Sequence, residues 1–284
     1  MIDRARVAAM ESRLVNAWPA FEVELAEGWL LRFAEGYSKR ANAATPLLPD
    51  ARLDPDLVRH MLDSFEARGI APCFRLTGIE HPECDAVLAD LGLSEFDPSL
   101  GMVADLPPEV EIDPSVRIER VAKRRWIADA AAAQASDRAD PDRLGRIVRS
   151  IRQPAAFATL SIDGEDGAWG LAVAERGYVG LYDIVVGSAL RGLGLGRRLV
   201  ASLMAWGRGT GAATAYLQVR EANAVATGLY ASLGFSTAYR YTHRVLPPAG
   251  RPEALRPRSA GAVATSAPAA MSTQASASDG VASA

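Results

Sequence analysis

The part of the sequence with the clearest potential for chemistry is a glycine run at residues 191 to 198, RGLGLGRR. Glycine inside a helix costs about 1 kcal/mol relative to alanine and also weakens strands, so three glycines in alternate positions need a reason. Amides in the first turn of a helix have no partners within that helix and bind anions. Glycines let a phosphate approach these amides, and the flanking arginines add positive charge. The run therefore predicts a site for a phosphate-bearing ligand on the amides of residues 192 to 197.

Two common phosphate-binding loops do not match these residues. A Walker A loop ends in Gly-Lys-Ser/Thr, whereas this run ends in Gly196, Arg197 and Arg198. A dinucleotide-binding loop needs a third glycine at the position that Arg197 occupies, and an acidic residue at the end of the next strand. The sequence thus favours a different kind of phosphate site.

Hydrophobic periodicity predicts the elements that position the run. A strand, YVGLYDIVV (178–186), precedes it, and a helix with Leu195, Leu199, Leu203 and Trp206 on one face follows it. The rest of this half is predicted as a strand at VRIER, helices at 123–135 and 141–151, strands at AAFATLSI and GAWGLAVAE, a strand at ATAYLQV, a helix at 223–233 and a last strand at FSTAYRYTHRV.

The amino-terminal half has its own set of predicted elements. Asp54 is a plausible N-cap with Pro55 in the first helical position, and Gly69 ends that helix. The other predicted elements are a helix at 4–16, strands at 28–34, 38–45 and 71–77, a helix at 82–92 and a strand at 94–106.

The pattern divides the chain into four segments. Prolines and acidic residues cluster at 107–115, which predicts a linker between domains at 1–106 and 116–248. Placing LADLGL (88–93) over YASLGF (230–235) aligns the last helix of each half and suggests an internal duplication. Residues 249–284 are small, polar and rich in alanine, and we expect this tail to be disordered.

Two motifs in the carboxy-terminal half resemble those of the GCN5-related N-acetyltransferases (GNATs). Arg191, Gly194 and Gly196 match the coenzyme A motif Gln/Arg-x-x-Gly-x-Gly/Ala, and residues 217–235 resemble the motif that follows it. The resemblance covers roughly residues 116–246. It extends to the amino-terminal half through the GW-x-LR and RAN patterns at 28–42. It implies an α/β fold with a mostly antiparallel central sheet flanked by helices, splayed strands at an acetyl-CoA site and a degenerate amino-terminal copy.

The resemblance also implies roles for individual residues. The anion is then the pyrophosphate of acetyl-CoA, and backbone groups at Val185 and Val186 orient the thioester. Tyr230 is the expected general acid that protonates the departing thiolate. Asn223 is both an N-cap and a cofactor contact. The cofactor-binding residues expected on this basis are Val185, Val186, Arg191, Gly192, Leu193, Gly194, Leu195, Gly196, Arg197 and Asn223.

An acceptor amine must lose a proton before it attacks the thioester, and the sequence offers several carboxylates for this. Asp183, on the strand before the glycine run, is the first candidate, and Glu221 and Glu175 are the alternatives. These three carboxylates are the candidates for the general base.

The amino-terminal half lacks the glycine run and the tyrosine that the carboxy-terminal half carries. LLPDARLDP stands where the glycine run would be, and Leu88 occupies the place of Tyr230. We expect this half to bind no cofactor and to complete the substrate cleft or a dimer surface. Its polar run of Arg32, Lys39, Arg40 and Asn42 faces either substrate or solvent.

Composition bounds the remaining possibilities. The 284 residues carry a net charge of −3, which gives no general case for binding nucleic acid or anionic membrane. Two cysteines form no disulfide framework, and three scattered histidines match no metal-ligand spacing, so no metal is expected. No signal peptide or membrane-spanning run is evident, which predicts a cytoplasmic protein.

The sequence as a whole predicts an acetyl-CoA-dependent N-acetyltransferase acting on a small-molecule or peptide amine, with a homodimer possible. Two other functions stay open. One is a tandem acetyltransferase of the mycothiol-synthase type, and the other is a non-catalytic sensor that binds acyl-CoA.

Overall fold

The structure is a computed structural model that describes residues 3–134, 139–247, 250, 252 and 255. Seven α-helices are found in this part of the chain, and short 3-10 turns lie at Lys39–Ala41 and Ser188–Leu190. The helices are α1 (Arg4–Ala17), α2 (Pro55–Glu66), α3 (Glu83–Asp90), α4 (Arg124–Ala133), α5 (Pro141–Arg149), α6 (Leu195–Gly209) and α7 (Ala224–Ala231).

The strands of the described residues join into a single mixed sheet of eleven strands. They are β1 (Glu22–Ala26), β2 (Trp29–Phe33), β3 (Ala44–Pro46), β4 (Cys73–Leu76), β5 (Ser94–Asp105), β6 (Val116–Glu119), β7 (Ala155–Ile162), β8 (Glu165–Glu175), β9 (Tyr178–Val186), β10 (Thr214–Arg220) and β11 (Ser236–Val245). Their order is β1-β2-β3-β4-β11-β5-β10-β9-β8-β7-β6. Only the pairs β3–β4 and β9–β10 are parallel, and the others are antiparallel.

The two halves exchange their last strands. Strand β5 of the amino-terminal half lies between β11 and β10, and β11 of the carboxy-terminal half lies between β4 and β5. Each of these strands therefore has both of its neighbours in the opposite half. The segment between β5 and β6 contains neither helix nor strand, as expected of the predicted linker, yet the sheet runs through both halves without a break.

The order of elements repeats between the halves. The series β2-β3-α2-β4-α3-β5 corresponds to β8-β9-α6-β10-α7-β11, and the parallel pair occupies the same place in each series. The fold is thus a mixed α/β sheet flanked by helices with an internally repeated topology, as the sequence predicts.

Helices cover both faces of the sheet. Helices α1, α4 and α5 pack on one face through residues such as Met10, Trp126 and Ile147. Helix α6 packs on the other face through Leu199 and Leu203. Helix α2 and its neighbours form a third apolar cluster in the amino-terminal half.

A buried polar cluster ties α1 to three strands. The Glu11 carboxylate pairs with Arg75 of β4, with 3.0 Å between Oε1 and Nη2, and it accepts a hydrogen bond from the hydroxyl of Tyr239 of β11. Gln218 of β10 donates to Glu11 at 3.2 Å and to the Tyr239 hydroxyl at 3.1 Å. Because buried charges are stable only when paired, this cluster fixes α1 over β4, β10 and the exchanged strand β11.

Three details of the fold differ from expectation. Strand β1 was not predicted, and residues 38–45 form a 3-10 turn followed by the short β3 rather than one strand. The packed chain also extends beyond the predicted boundary at 248, because Leu255 is fully buried in the apolar cluster of the amino-terminal half. Within the predicted tail, 249–284, the structure describes residues 250, 252 and 255, and the others lie outside the described residues. None of the helices in the described ranges is long and apolar enough to cross a membrane.

Candidate active site

Strands β9 and β10 separate at their carboxyl ends, near the start of the glycine run. Their parallel pairing runs from Tyr178 and Thr214 to Leu181 and Leu217 and then stops. At Asp183 the backbone of β9 has a φ of 46°, and its pairing with β8 shifts register at this point. Such a bulge bends a strand and redirects its side chains. It therefore turns the end of β9, Ile184 to Val186, away from β10 and opens the predicted cleft.

The loop after β9 leaves open space above the start of α6. Gly192 and Gly194 have φ values of 81° and 75°, and a Cβ added at either position would meet nothing within 4 Å. Gly194 is the N-cap of α6 and provides no side-chain acceptor. These glycines satisfy a backbone requirement, since other residues are strained in the left-handed region.

The amides of this loop are available to a ligand. Those of Arg197 and Arg198 donate to the Gly194 carbonyl at 3.1 and 3.2 Å. The amides from Gly192 to Gly196 have no hydrogen-bond partner within the described part of the chain. The predicted anion site therefore narrows to residues 192–196, because the amide of Arg197 is already used by the helix.

The three arginines of the run are arranged differently from one another. Arg191 reaches back to the Val186 carbonyl at 3.4 Å, and Arg197 donates to Ser232 after α7. Arg198 pairs with Asp113 of the linker at 2.7 Å, and this hydrogen bond lowers the pKa of the Asp113 carboxyl to about 2. The charge of Arg198 is therefore neutralised locally, whereas Arg191 and Arg197, which flank the open amides in the sequence, have no carboxylate partner in the described part of the chain.

The corresponding position of the amino-terminal half is closed. The Asp54 carboxylate accepts hydrogen bonds from the amides of Asp56 and Leu57, so the start of α2 already has an anion. The segment before α2 is also hydrogen-bonded to the segment after β4, from the Asp50 amide to the Ile79 carbonyl at 2.8 Å. The chain itself thus fills this site in the amino-terminal half.

Tyr230 lies on α7, whose N-cap is Asn223. The Asn223 side chain accepts from the Ala226 amide at 3.1 Å, which is the predicted capping role. Tyr230 is 9% exposed and packs against Phe235. Burial raises the pKa of its phenol to about 12, with Arg40 opposing the shift. The phenol therefore keeps its proton over the whole physiological range.

The three candidate bases lie in different places. Asp183 has a side chain that is 1% exposed and that pairs with Arg40 of the amino-terminal half at 3.1 Å. Glu221 follows β10 and pairs with Arg240 at 2.9 Å. Glu175 pairs in register with Tyr178 at the opposite end of β9, about 26 Å from Val186 at the rise of a strand. The structure therefore places Asp183 and Glu221 near the carboxyl ends of β9 and β10, where these strands separate. It places Glu175 too far from this point to act as the base.

Only part of the polar run in the amino-terminal half faces this edge. Arg32 is buried and donates to the carbonyls of Arg40 and Trp18. Asn42 accepts a hydrogen bond from the Ala34 amide at 2.7 Å. Both side chains therefore support the turn at Lys39–Ala41. Arg40 extends to Asp183, while the Lys39 ammonium lies 4.3 Å from the centre of the Phe96 ring.

Sequence reasoning missed two contacts near the site. The hydroxyls of Tyr182 and Tyr216 lie 2.5 Å apart where β9 and β10 separate, and Asp113 holds Arg198 from the linker. Neither contact has a local sequence signal, because each joins residues far apart in the chain.

Comparison with known proteins agrees with this geometry. The family described as "Probable histone acetyltransferase Rv0428c C-terminal" matches residues 4–244. The chain is 28% identical over 248 residues to the "Probable histone acetyltransferase Rv0428c" of Mycobacterium tuberculosis (strain ATCC 25618 / H37Rv). The alignment covers 82% of this chain and 72% of that protein. It is 24% identical over 259 residues to the "Uncharacterized N-acetyltransferase YobR" of Bacillus subtilis (strain 168), which covers 84% of this chain and 98% of that protein.

Solved structures share the fold at low sequence identity. A GCN5-related N-acetyltransferase from Kribbella flavida is 20% identical with a TM-score of 0.60, covering 87% of this chain and 96% of the other. A tandem GNAT protein from the clavulanic acid biosynthesis pathway is 15% identical with a TM-score of 0.54, covering 76% of each chain. The chain therefore belongs to the Rv0428c C-terminal acetyltransferase family, is an acetyltransferase enzyme, and has the fold of the GCN5-related N-acetyltransferases.

Proposed function

We propose that the chain transfers the acetyl group of acetyl-CoA to a primary amine, using one site in its carboxy-terminal half. The observation that carries this proposal is the row of open amides from Gly192 to Gly196 beside the splayed end of β9. A β-carbon at Gly192 or Gly194 would meet no atom within 4 Å, so the space around these positions is open. This arrangement fits a pyrophosphate, which needs several converging N–H donors and close approach to the backbone.

Each residue has a defined task in this proposal. Acetyl-CoA supplies the activated acetyl group, and Arg191 and Arg197 add positive charge beside its phosphates. Backbone groups of Val185 and Val186, which have no partner strand on the β10 side, hold the arm that carries the thioester. Tyr230 holds a proton at its phenol oxygen and donates it to the departing sulfur, a step for which a buried, protonated phenol is suited.

A carboxylate at the splayed edge accepts the proton of the amine. Asp183 is the proposed base because it lies two residues before Val185 on the strand that lines the cleft. Glu221, which follows the end of β10, is the second candidate.

The acceptor is proposed to be the side-chain amine of a protein lysine, because one relative is named a probable histone acetyltransferase. Small-molecule amines are the alternative. A panel that contains a histone-tail peptide, polyamines and amino sugars separates the two classes through the rate at which free CoA is released.

Calorimetric titration of acetyl-CoA into wild type and Gly194→Trp tests the cofactor site. We expect binding by the wild type and a loss of at least tenfold in affinity in the variant, because the indole fills the space above the amides. Gly164→Trp is the matched control, since Gly164 also has a positive φ and open space but lies in the β7–β8 turn. Equal affinity in wild type and Gly194→Trp would contradict the proposed site. Binding without CoA release for any amine would favour a sensor.

A further inference from the structure

Two arginines of the amino-terminal half lie at opposite ends of β9, Arg13 at the β8–β9 turn and Tyr178, and Arg40 at Asp183. Arg13 of α1 donates to the carbonyls of Glu175 and Arg176 at 3.1 and 3.0 Å, and its guanidinium lies 4.3 Å from the centre of the Tyr178 ring. Arg40 pairs with Asp183 at 3.1 Å, where the strand separates from β10. The first contact lies where β9 is fully paired with its neighbours, and the second where it is not.

Arg40 is presented by a firmly held turn. The indole of Trp18 donates to Ser38 at 3.0 Å, the amide of Asn42 donates to the Lys39 carbonyl at 3.2 Å, and the Arg40 carbonyl accepts from Arg32. The Arg40 guanidinium also lies 4.7 Å from the centre of the Trp18 ring. Contacts within the amino-terminal half therefore hold the turn that carries Arg40, and its guanidinium reaches from there to Asp183 and to the Tyr182 ring of β9, whose centre is 5.9 Å away.

Asp183 connects this turn to the reacting part of the strand. Its side chain is 1% exposed, and its backbone adopts the left-handed conformation of the bulge. An ion pair at such a buried position is sensitive to the loss of either member, because breaking a buried pair is costly. The end of β9, residues 184–186, has no β10 partner to hold it on that side.

We propose that Arg40 is a positioning residue of the acetyl-transfer site, which acts through Asp183 to set the direction of the splayed end of β9. The catalytic meaning of this inference rests on the proposed function. The amino-terminal half, whose own cofactor position is closed, thereby contributes to the site of the other half. Arg13 contacts the turn before β9 and the Tyr178 ring at the other end of the strand, and so provides the matched comparison.

Hydrogen–deuterium exchange of the full chain tests the structural part of the proposal without any ligand. In Arg40→Met we expect the amides of residues 184–186 to exchange at least tenfold faster, and those of residues 179–182 to change less than twofold. Arg40→Lys keeps the charge and should restore part of the protection. Unchanged exchange at 184–186, or a uniform increase along β9, would overturn the proposal. If Arg40→Met does not fold, Arg40→Lys and Arg40→Gln are compared with wild type by the same criterion.

Calorimetry with acetyl-CoA then tests the positioning role. We expect Arg40→Met to weaken acetyl-CoA binding at least tenfold, and Arg13→Met to change it less than twofold even where both variants lower the melting temperature equally. Equal losses of affinity in both variants, or none in Arg40→Met, would overturn the role. If the wild type does not bind acetyl-CoA, the proposed function fails, while the exchange experiment still decides whether Arg40 holds β9.

Discussion

Tyr230 shows how burial prepares a single side chain for a catalytic task. The raised pKa, about 12, follows from loss of solvent around the phenol. A general acid is effective while it is protonated, so its contribution persists below its pKa and is lost only as pH rises through about 12. We therefore expect no loss of turnover between pH 8 and 10 from ionisation of Tyr230.

Replacing Tyr230 by phenylalanine removes the proton donor and keeps the ring that packs on Phe235. We expect turnover to fall by about 100-fold or more, the usual effect of losing a general acid, with acetyl-CoA affinity within threefold of wild type. Tyr178→Phe removes the same atom at the far end of β9 and should leave turnover unchanged. Steady-state release of CoA with an accepted amine measures both, and a Tyr230→Phe variant with wild-type turnover would remove this residue from the mechanism.

At the level of elements, α2 and α6 show how similar segments can have opposite roles. Both helices follow a strand of a parallel pair, but α2 is capped by the Asp54 carboxylate and α6 by Gly194, which offers no side chain. An N-cap carboxylate satisfies the amides that an external anion would otherwise use. The nature of the cap therefore separates a structural helix from one that can bind a phosphate.

The exchanged strands β5 and β11 depend on close packing at Gly101. A Cβ at this position would lie 1.9 Å from a ring carbon of Tyr239, whose hydroxyl is bonded to Glu11 and Gln218. Since the ring cannot move without breaking this cluster, we expect Gly101→Ala to lower the free energy of unfolding by about 3 kcal/mol.

Urea unfolding measures this effect, with Gly209→Ala in α6 as the control. A Cβ at Gly209 meets nothing within 4 Å, so alanine should be neutral or stabilising there. A neutral Gly101→Ala would show that the two strands are less tightly joined than the structure indicates.

For the whole molecule, the exchange of strands makes the halves interdependent. A fragment of residues 1–106 contains β5 without either of its neighbours, and it lacks β11, the antiparallel neighbour of β4. We expect fragments 1–106 and 107–284 to show no cooperative unfolding when produced separately, and to form a stable complex when produced together. Circular dichroism during thermal unfolding checks this, and cooperative melting of fragment 1–106 alone would contradict it.

Several features of the protein were predictable because they are local. The glycine run, the Asp54 and Asn223 caps and most of the helices follow from backbone preferences, capping and periodicity, which act over a few residues. The repeated order of elements could also be predicted, since each half carries the same succession of patterns. Strand β1 was missed although its residues, EVELA, alternate between charged and apolar, because the strand is only five residues long; its apolar Val23 and Leu25 are exposed.

The sequence by itself determined the family and the fold class, through its motifs and its succession of elements. It also predicted a phosphate site on the amides of residues 192–197, because the conformations that glycine permits and the N–H groups at a helix start are set by neighbouring residues. The tertiary structure alone decided which strands lie side by side, and with them the contacts that cross the halves. Arg40 with Asp183 and Arg198 with Asp113 join residues distant in sequence. Such pairs depend on how the sheet is assembled, and no local pattern encodes that order.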